Sequence, residues 1–249
     1  RRERIYVADE YHHNITVFDS SGEFVGNWGD YGSGDGQIDG PSGLAVDSEG
    51  NVLVVDQNNN RIHKFTAGGE HLLQWGEAGT GEGQFDLPWG VTLDSEGNVY
   101  VADWRNDRIQ KFSPEGQFMV AFGESGDGDG QFNRPAKPAV DSQGYIYVAD
   151  WGNERVQVLG PDGSFQLKLR GEATVSKWAR EFLDVNPDES LTRDQSNLIP
   201  DLPSHLDTPY LVSTQSEPYF WGPTSVNLDG QGRLYVTESS RHRVQIYQK

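Results

Sequence analysis

The stretch that decides the fold is residues 98–112, NVYVADWRNDRIQKF, together with its lead-in, residues 88–97, PWGVTLDSEG. It contains two short runs of β-branched and aromatic residues around a polar turn, which is the pattern of a β-hairpin. The acid that ends the first run recurs at a step of 47 residues, as Asp56, Asp103 and Asp150. A fixed period of this size indicates one supersecondary unit repeated along the chain.

Each repeat reads as four short strands, which predicts an all-β chain folded as a β-propeller of four-stranded antiparallel blades. Five units are visible in the 249 residues. The first unit lacks its innermost strand and the last lacks its outermost. Because propellers close by completing such blades, we expect residues 1–249 to be a single, N-terminally incomplete domain from a six-bladed parent.

The spacing breaks once. The lead-in aspartates Asp47, Asp94 and Asp141 keep the step of 47, but the next, Asp229, comes 88 residues after Asp141. The excess lies in one insertion, residues 170–219. Within it, residues 172–183 place apolar side chains at helical spacing and predict a helix that ends before a proline; these residues are Val175, Trp178, Ala179, Phe182, Leu183 and Pro187. We expect extended, proline-rich chain over residues 198–220, after this helix.

Composition excludes several classes of protein. The net charge is −18, from 20 Lys and Arg against 38 Asp and Glu, and argues against nucleic-acid binding. No apolar run is long enough to span a membrane. Cysteine is absent, so disulfides and thiolate metal sites are excluded. The acidic, glycine-rich chain suggests an extracellular or periplasmic protein, although its first residues carry no signal sequence. The oligomeric state is left open.

Each unit also repeats an acid and, five positions later, a base. Across a tight hairpin such side chains can bridge and fix the turn, and a catalytic acid would not be copied into every blade. We therefore predict structural pairs for Asp56 with Arg61, Asp103 with Arg108, Asp150 with Arg155 and Glu238 with Arg243.

The repeats resemble the NHL repeat. The matching motifs are P-x-G-V-x-x-D-x-x-G-N, V-Y-V-A-D-x-x-N-x-R-I-Q-x-F and G-x-x-G-x-G-x-G-Q-F, which together cover nearly all of the chain outside the insertion. The resemblance implies a β-propeller. Most members of the family resemble protein-interaction scaffolds, some bind RNA, and the peptidylglycine amidating lyases are enzymes with channel metals. The fold alone therefore assigns no activity.

Positions that depart from the repeat are the better functional candidates, because the scaffold does not require them. Alternating strands place the hairpins, the connectors between blades and the insertion on one rim. The predicted partner-binding rim consists of Trp89, Trp104, Arg105, Lys137, Trp151, Arg241 and His242. Exposed Trp beside Arg and Lys is typical of an interface hot spot or a sugar-stacking platform. The alternative is that Trp178 and Phe182 of the insertion cover these tryptophans.

Metal sites are less clearly marked. Asp127 and Asp129 in the connector GDGDGQ are the best candidates for Ca²⁺ ligands, although tight-turn geometry also explains such loops. No other cofactor is predicted. His63 and His71 fall on outer strands, away from the channel, and the remaining histidines match no metal signature.

The sequence favours a non-enzymatic scaffold that binds a protein or an extracellular polymer through this rim. The alternative is a metal-dependent hydrolase or lyase with a cation in the central channel, similar to the amidating lyases or to lactonases. We assign no catalytic residue.

Overall fold

The computed structural model describes residues 3–171, 177–196, 201–216 and 218–248. Five antiparallel sheets follow one another along this chain, and we call them blades 1 to 5. Blades 2, 3 and 4 each have four strands, and blades 1 and 5 each have three in the described residues. The prediction of an all-β propeller with blades of this kind is confirmed.

Strands pair with their neighbours in sequence order within every blade. Blade 1 contains β1 (Arg4–Asp9), β2 (Asn14–Asp19) and β3 (Phe24–Trp28). A short parallel pair in the next connector, which the sequence did not predict, is formed by β4 (Asp30–Tyr31) and β5 (Gln37–Ile38). Blade 2 contains β6 (Pro41–Val46), β7 (Val52–Asp56), β8 (Arg61–Phe65) and β9 (His71–Trp75).

The later blades repeat this order. Blade 3 contains β10 (Pro88–Leu93), β11 (Val99–Asp103), β12 (Arg108–Phe112) and β13 (Phe118–Phe122). Blade 4 contains β14 (Pro135–Val140), β15 (Ile146–Asp150), β16 (Arg155–Leu159) and β17 (Phe165–Leu169). Blade 5 contains β18 (Pro223–Leu228), β19 (Leu234–Glu238) and β20 (Arg243–Tyr247).

The core consists of the interfaces between successive blades. Between blades 2 and 3, Val55 and Ile62 from one sheet meet Val99 and Val101 from the next, with the connector residue Phe85 between them. In blades 2 to 4, each of which lies between two other blades, both faces of the second strand are covered, and all five residues of β7, β11 and β15 are buried. This explains why the second strands read as continuous apolar runs and not as alternating ones.

Near the axis, neighbouring inner strands approach so closely that glycine is required. A Cβ atom at Gly43 would lie 2.5 Å from Trp89 O. A Cβ atom at Gly90 would lie closer than 3.0 Å to Ala136 O and to Lys137 Cα. The glycine of the lead-in motif is therefore a packing requirement between blades.

The insertion contains more helix than predicted. Its helices are α1 (Lys177–Val185), α2 (Pro187–Asp194) and α3 (Pro209–Gln215). The start of the predicted helix, residues 172–176, lies outside the described residues. Helix α1 ends before Pro187, as predicted, but α2 was not predicted, and α3 lies within residues 198–220, for which extended chain was predicted. Pro187 and Pro209 stand at the starts of α2 and α3, where a missing N–H costs nothing. In the described part of the chain, no helix is long and apolar enough to cross a membrane.

We predict that Gly90→Ala lowers the free energy of unfolding by about 1–3 kcal/mol, because the added methyl group overlaps the backbone of β14. Urea denaturation monitored by tryptophan fluorescence measures the change. Gly26→Ala is the matched control, since a Cβ atom there meets nothing within 4 Å. Equal stability of the two variants would contradict the close approach of the inner strands.

Candidate functional site

A buried carboxylate closes the hairpin between the second and third strands of blade 3. Asp103 Oδ2 accepts hydrogen bonds from Arg108 Nε at 2.8 Å, Asn106 Nδ2 at 2.9 Å and Gln110 Nε2 at 3.0 Å. Its Oδ1 accepts the backbone N–H of Asp86, in the preceding connector, at 2.9 Å. Because a buried charge is tolerated only when it is paired and hydrogen-bonded, these donors hold the carboxylate in one position.

The same arginine also holds the connector. Arg108 Nη1 donates to Thr80 O at 2.9 Å, and Nη2 donates to Gly81 O at 2.7 Å and to Gln84 O at 2.9 Å. The other predicted pairs have Nε–carboxylate distances of 2.8 Å for Arg61–Asp56, 2.7 Å for Arg155–Asp150 and 2.5 Å for Arg243–Glu238. The acid–arginine pair with its connector bonds, which we call the clamp, therefore joins each hairpin to the connector that precedes the blade.

Burial is the largest influence on the pKa of the clamp aspartates, and it raises each pKa. In Asp103 and Asp150 burial outweighs the hydrogen bonds, and the pKa lies above its usual value. In Asp56 the hydrogen bonds, led by that from His63, outweigh burial, and the pKa lies below its usual value. His63 therefore makes the clamp of blade 2 different from the others.

A second repeated contact joins each hairpin to the following blade. The residue directly before the third strand has a left-handed backbone, with φ between 53° and 54° in blades 1 to 4. Its side chain accepts a backbone N–H from the next connector; the pairs are His13 with Gly40, Asn60 with Leu87, Asp107 with Arg134 and Glu154 with Gly222. These contacts were not predicted from the sequence, in which their signal is a polar residue immediately before each third strand.

Glu154, a member of this set, is buried and has a raised pKa. It is only 3% exposed, and its Oε2 accepts the N–H of Gly222 at 2.5 Å. Burial raises the pKa of Glu154 to about 7, the hydrogen bond and the charges of Arg170 and Arg241 oppose this rise, and the charge of Glu238 adds to it. This group therefore titrates near neutral pH at the point where the insertion returns to blade 5.

Arg241 fixes the insertion to the same face. Its position follows the clamp acid by three residues, and blades 2 to 4 have asparagines there that bond connector carbonyls: Asn59, Asn106 and Asn153. Arg241 Nη2 donates instead to Ser213 O at 2.6 Å and Ser216 O at 2.9 Å, and Arg241 Cζ lies 5.7 Å from the ring centroid of Trp221. In blade 5 the insertion replaces the short connector, and the longer side chain of Arg241 reaches its backbone carbonyl groups as the asparagines reach those of the connectors.

Three tryptophans lie side by side on this face, which we call the hairpin face because it carries the hairpins and connectors. The Trp104 ring centroid is 5.6 Å from that of Trp89 and 6.2 Å from that of Trp151, with interplanar angles of 47° and 46°. The guanidinium of Arg134 lies 4.8 Å from the Trp104 ring centroid. We call Trp89, Trp104 and Trp151 the tryptophan row.

The insertion contacts one end of this row. Helix α3 contacts the 3₁₀ turn Trp151–Asn153, and Trp151 also packs against the core between blades 4 and 5. Phe182, expected as part of a cover over the tryptophans, is itself 49% exposed, and the side chain of Trp178 lies outside the described residues. At the other end of the row, Trp89 is 39% exposed.

The other predicted rim residues have separate surroundings. Arg105 Nη1 lies 3.9 Å from Asp86 Oδ1, and its side chain is half exposed. Lys137 Nζ donates to Asn227 Oδ1 at 2.9 Å on the neighbouring inner strand, and burial lowers the pKa of Lys137. His242 is exposed and has a left-handed backbone with φ of 50°. The structure therefore brings together the tryptophans but not all seven residues of the predicted rim.

The two candidate calcium ligands have other contacts. Asp127 O accepts a hydrogen bond from Arg155 Nη1 at 2.6 Å, and Asp129 Oδ1 forms an ion pair with Lys168 Nζ at 2.8 Å. Within residues 3–171 and the later described segments, no group of three or more His, Asp or Glu side chains is placed to hold a metal ion. Calcium binding at this connector stays a prediction.

Comparison with known proteins identifies a repeat in the chain. The family model of the NHL repeat matches four segments, residues 39–65, 85–112, 132–159 and 220–247, which end with the third strands of blades 2 to 5. No curated protein sequence matches the chain.

Solved structures show the same fold at low sequence identity. The chain is similar to a virginiamycin B lyase from Staphylococcus aureus, with a TM-score of 0.59 and 10% identity over 99% of this chain and 67% of that one. It is similar to a streptogramin B lyase, with a TM-score of 0.59 and 13% identity over 98% and 64% of the two chains. A protein of unknown function from Bacteroides thetaiotaomicron has a TM-score of 0.63 and 20% identity, over 98% of this chain and 56% of that one. The chain thus spans 56% to 67% of these structures, and the likeness shows the fold alone.

We predict that Asp103→Ala lowers the free energy of unfolding by about 3–5 kcal/mol, because it leaves the buried donors of the clamp without their acceptor. Equilibrium urea denaturation gives the value. Arg105→Ala, two positions away and half exposed, should change stability by at most about 0.5 kcal/mol. If Asp103→Ala cost no more than this control, the clamp would not support the fold.

The raised pKa of Glu154 predicts a pH dependence. Glu154 binds its proton more tightly in the folded state than in the unfolded state, so ionisation of Glu154 destabilises the fold. This destabilisation is absent below the unfolded pKa of 4.5 and reaches its full size above the folded pKa of about 7. A shift of this size corresponds to roughly 3 kcal/mol. We expect Glu154→Gln, which keeps the acceptor oxygen for Gly222, to match the wild type at pH 4.5 and to exceed its stability at pH 8.

The control for this pH dependence is the exposed Glu70→Gln, which should follow the wild type at both pH values. A Glu154→Gln variant whose advantage did not grow between pH 4.5 and pH 8 would contradict titration of Glu154 near neutrality.

Proposed function

We propose that this chain, which is an NHL-repeat β-propeller, is a binding scaffold that holds a partner protein on its hairpin face, with the tryptophan row at the centre of the contact. The observation that carries the proposal is the row itself. Three tryptophans from two hairpins and one inner strand meet with ring centroids 5.6 Å and 6.2 Å apart.

The scaffold does not need tryptophan at these positions. The residue that corresponds to Trp89 is Ser42 in blade 2, and the residue that corresponds to Trp104 is Gln57. Blade 2 keeps four strands and the clamp with these smaller, polar residues. The large aromatic side chains are therefore additions to a complete framework, and tryptophan is the residue most enriched in interface hot spots.

The surroundings of the row favour a protein over a polysaccharide. Neighbouring rings are tilted by 46° to 47°, so they form a ridged surface and not one flat platform for sugar rings. Arg134 covers Trp104 on one side, and Arg105 adds a half-exposed cation beside it. Aromatic rings with arginine at their edges are characteristic of protein–protein interfaces. The net charge of −18 disfavours a nucleic-acid partner.

The enzyme alternative rests on different grounds. Two of the similar structures are lyases, but their identities of 10% and 13% support a common fold only. A metal-dependent hydrolase or lyase would require a cation in the central channel and would lose its activity on chelation. No contact in the described residues favours this alternative over the binding scaffold.

The test is selection of a random peptide library displayed on phage against the purified protein, with a glycan array probed in parallel. Peptides selected by the wild type should bind Trp104→Gln at least about 30-fold more weakly, as expected for loss of a hot-spot residue worth 2 kcal/mol or more. The substitution introduces the residue that blade 2 carries at the same position, so we expect the fold to be kept. Isothermal titration calorimetry with synthetic peptides measures the affinities.

Phe24→Ala is the matched control, because Phe24 is an aromatic residue that is 64% exposed on the outer strand β3. Peptide binding should survive this change. Binding that Trp104→Gln and Phe24→Ala affected equally, or capture of glycans without any peptide, would contradict a protein-binding tryptophan row.

A further inference from the structure

Blade 2 replaces two residues of the repeat by histidine. On the third strand, His63 stands where blades 3 and 4 have Gln110 and Gln157. On the fourth strand, His71 stands where blade 3 has Phe118. The two imidazole ring centroids lie 5.1 Å apart. A coupled change of this kind in one blade is not required by the scaffold, because the other blades form the same sheet without it.

The glutamine of the other blades satisfies all of its polar atoms. Gln110 Nε2 donates to Asp103 Oδ2 at 3.0 Å and to Gln84 O at 2.7 Å, while its Oε1 accepts the N–H of Gly83 at 3.0 Å. An imidazole at this position can replace only part of this network. Which ring nitrogen of His63 is left without a partner depends on which one carries the proton.

Asp56 fixes the tautomer of His63. His63 Nε2 lies 3.1 Å from Asp56 Oδ2, and both side chains are fully buried. A carboxylate accepts, so Nε2 carries the proton and donates, and Nδ1 carries a lone pair. That Nδ1 atom is buried and has no hydrogen-bond partner among the described residues.

His71 and Gln74 present two more lone pairs. His71 Nε2 is buried without a hydrogen-bond partner in the described chain, and a neutral imidazole that carries its proton on Nδ1 presents a lone pair at this atom. Gln74 Nε2 donates to Asp35 Oδ1 at 3.1 Å, which orients the amide. Gln74 Oε1 is then the third buried acceptor that no donor in the described residues reaches.

These three acceptors lie on one face of blade 2. His63 and Gln74 are direct partners across β8 and β9, and His71 pairs with Phe65 on the same two strands. Buried acceptors are normally satisfied, and one water molecule can donate only two hydrogen bonds. Two imidazole nitrogens and an amide oxygen without a donor are instead the ligand set of a cation.

We propose that His63 Nδ1, His71 Nε2 and Gln74 Oε1 bind a divalent transition metal such as Zn²⁺, with water completing the coordination. Imidazole ligands select this class of metal over Mg²⁺ and Ca²⁺. The bond from His63 to Asp56 is the carboxylate–histidine support that orients ligands in metal sites. The site would tie the outer strand β9 to the clamp of blade 2, and it is separate from the tryptophan row.

The charges around the site are compatible with a cation. Asp35 is held beside Gln74, and Asp56 lies behind His63. Arg61 is the nearby base, and its Nε is engaged by Asp56 at 2.8 Å. His71 and Gln74 are partly exposed residues, so that a metal ion can enter from solvent.

The first experiment is calorimetric titration of the chelator-treated chain with Zn²⁺. We expect one equivalent to bind, and His63→Gln and His71→Phe each to weaken binding by at least about 10-fold, the lower range for losing even a supporting residue of a metal site. Both substitutions restore the residue of a sibling blade, so we expect the variants to fold. His12→Ala, which removes an exposed histidine bonded to Asp9, should bind as the wild type does.

The second experiment identifies the ligands without relying on the variants. One equivalent of Cu²⁺ added to the wild type should give an electron paramagnetic resonance spectrum with hyperfine coupling to two imidazole nitrogens, and His71→Phe should lose it. Failure of the wild type to bind Zn²⁺, or binding that His63→Gln and His71→Phe leave unchanged, would overturn the proposal. A Cu²⁺ spectrum without imidazole coupling would also overturn it.

Discussion

The rest of the structure depends on one buried acid and its arginine in each of blades 2 to 5. The acid is at most 1% exposed in all four blades. Its carboxylate accepts hydrogen bonds from the connector and from the third strand, and so holds both against the hairpin. A glycine-rich connector has little apolar surface of its own, so its path has to be fixed by hydrogen bonds to its carbonyl groups. The arginine supplies those bonds, and the connector in turn places its phenylalanine or isoleucine between two blades.

This arrangement explains how much of the molecule could be predicted from its sequence. The strands, their order and the acid–arginine pairs follow from a period of 47 residues, because each copy of a repeated sequence forms the same strands and contacts. The insertion has no such period. Pro187 and Pro209 indicate chain breaks in a sequence, but each can also be the first residue of a helix, and tertiary contacts decide between the two.

The candidate sites were harder to predict for a different reason. Trp89, Trp104 and Trp151 were recognisable as departures from the repeat, but the distances between their rings depend on how blades 3 and 4 pack. Lys137 and Arg241 were recognised in the same way, and the structure gives them contacts with Asn227 and with the insertion. His63 and His71 lie on outer strands, away from the channel, so the sequence alone assigns them no role. The significance of this pair appears only when the strand register shows which polar atoms are left without donors.

The residues that follow the repeat form the propeller, and the residues that depart from it, such as the tryptophan row, are the candidates for binding. The measurement that tests this most directly is nuclear magnetic resonance of the indole N–H groups, since the chain has only seven tryptophans. On titration with a peptide selected on the protein, the resonances of Trp89, Trp104 and Trp151 should shift. Those of Trp28 and Trp75, whose indole nitrogens are buried within the blades, should not. Shifts confined to Trp28 and Trp75 would contradict the account, because the partner would then bind away from the hairpin face.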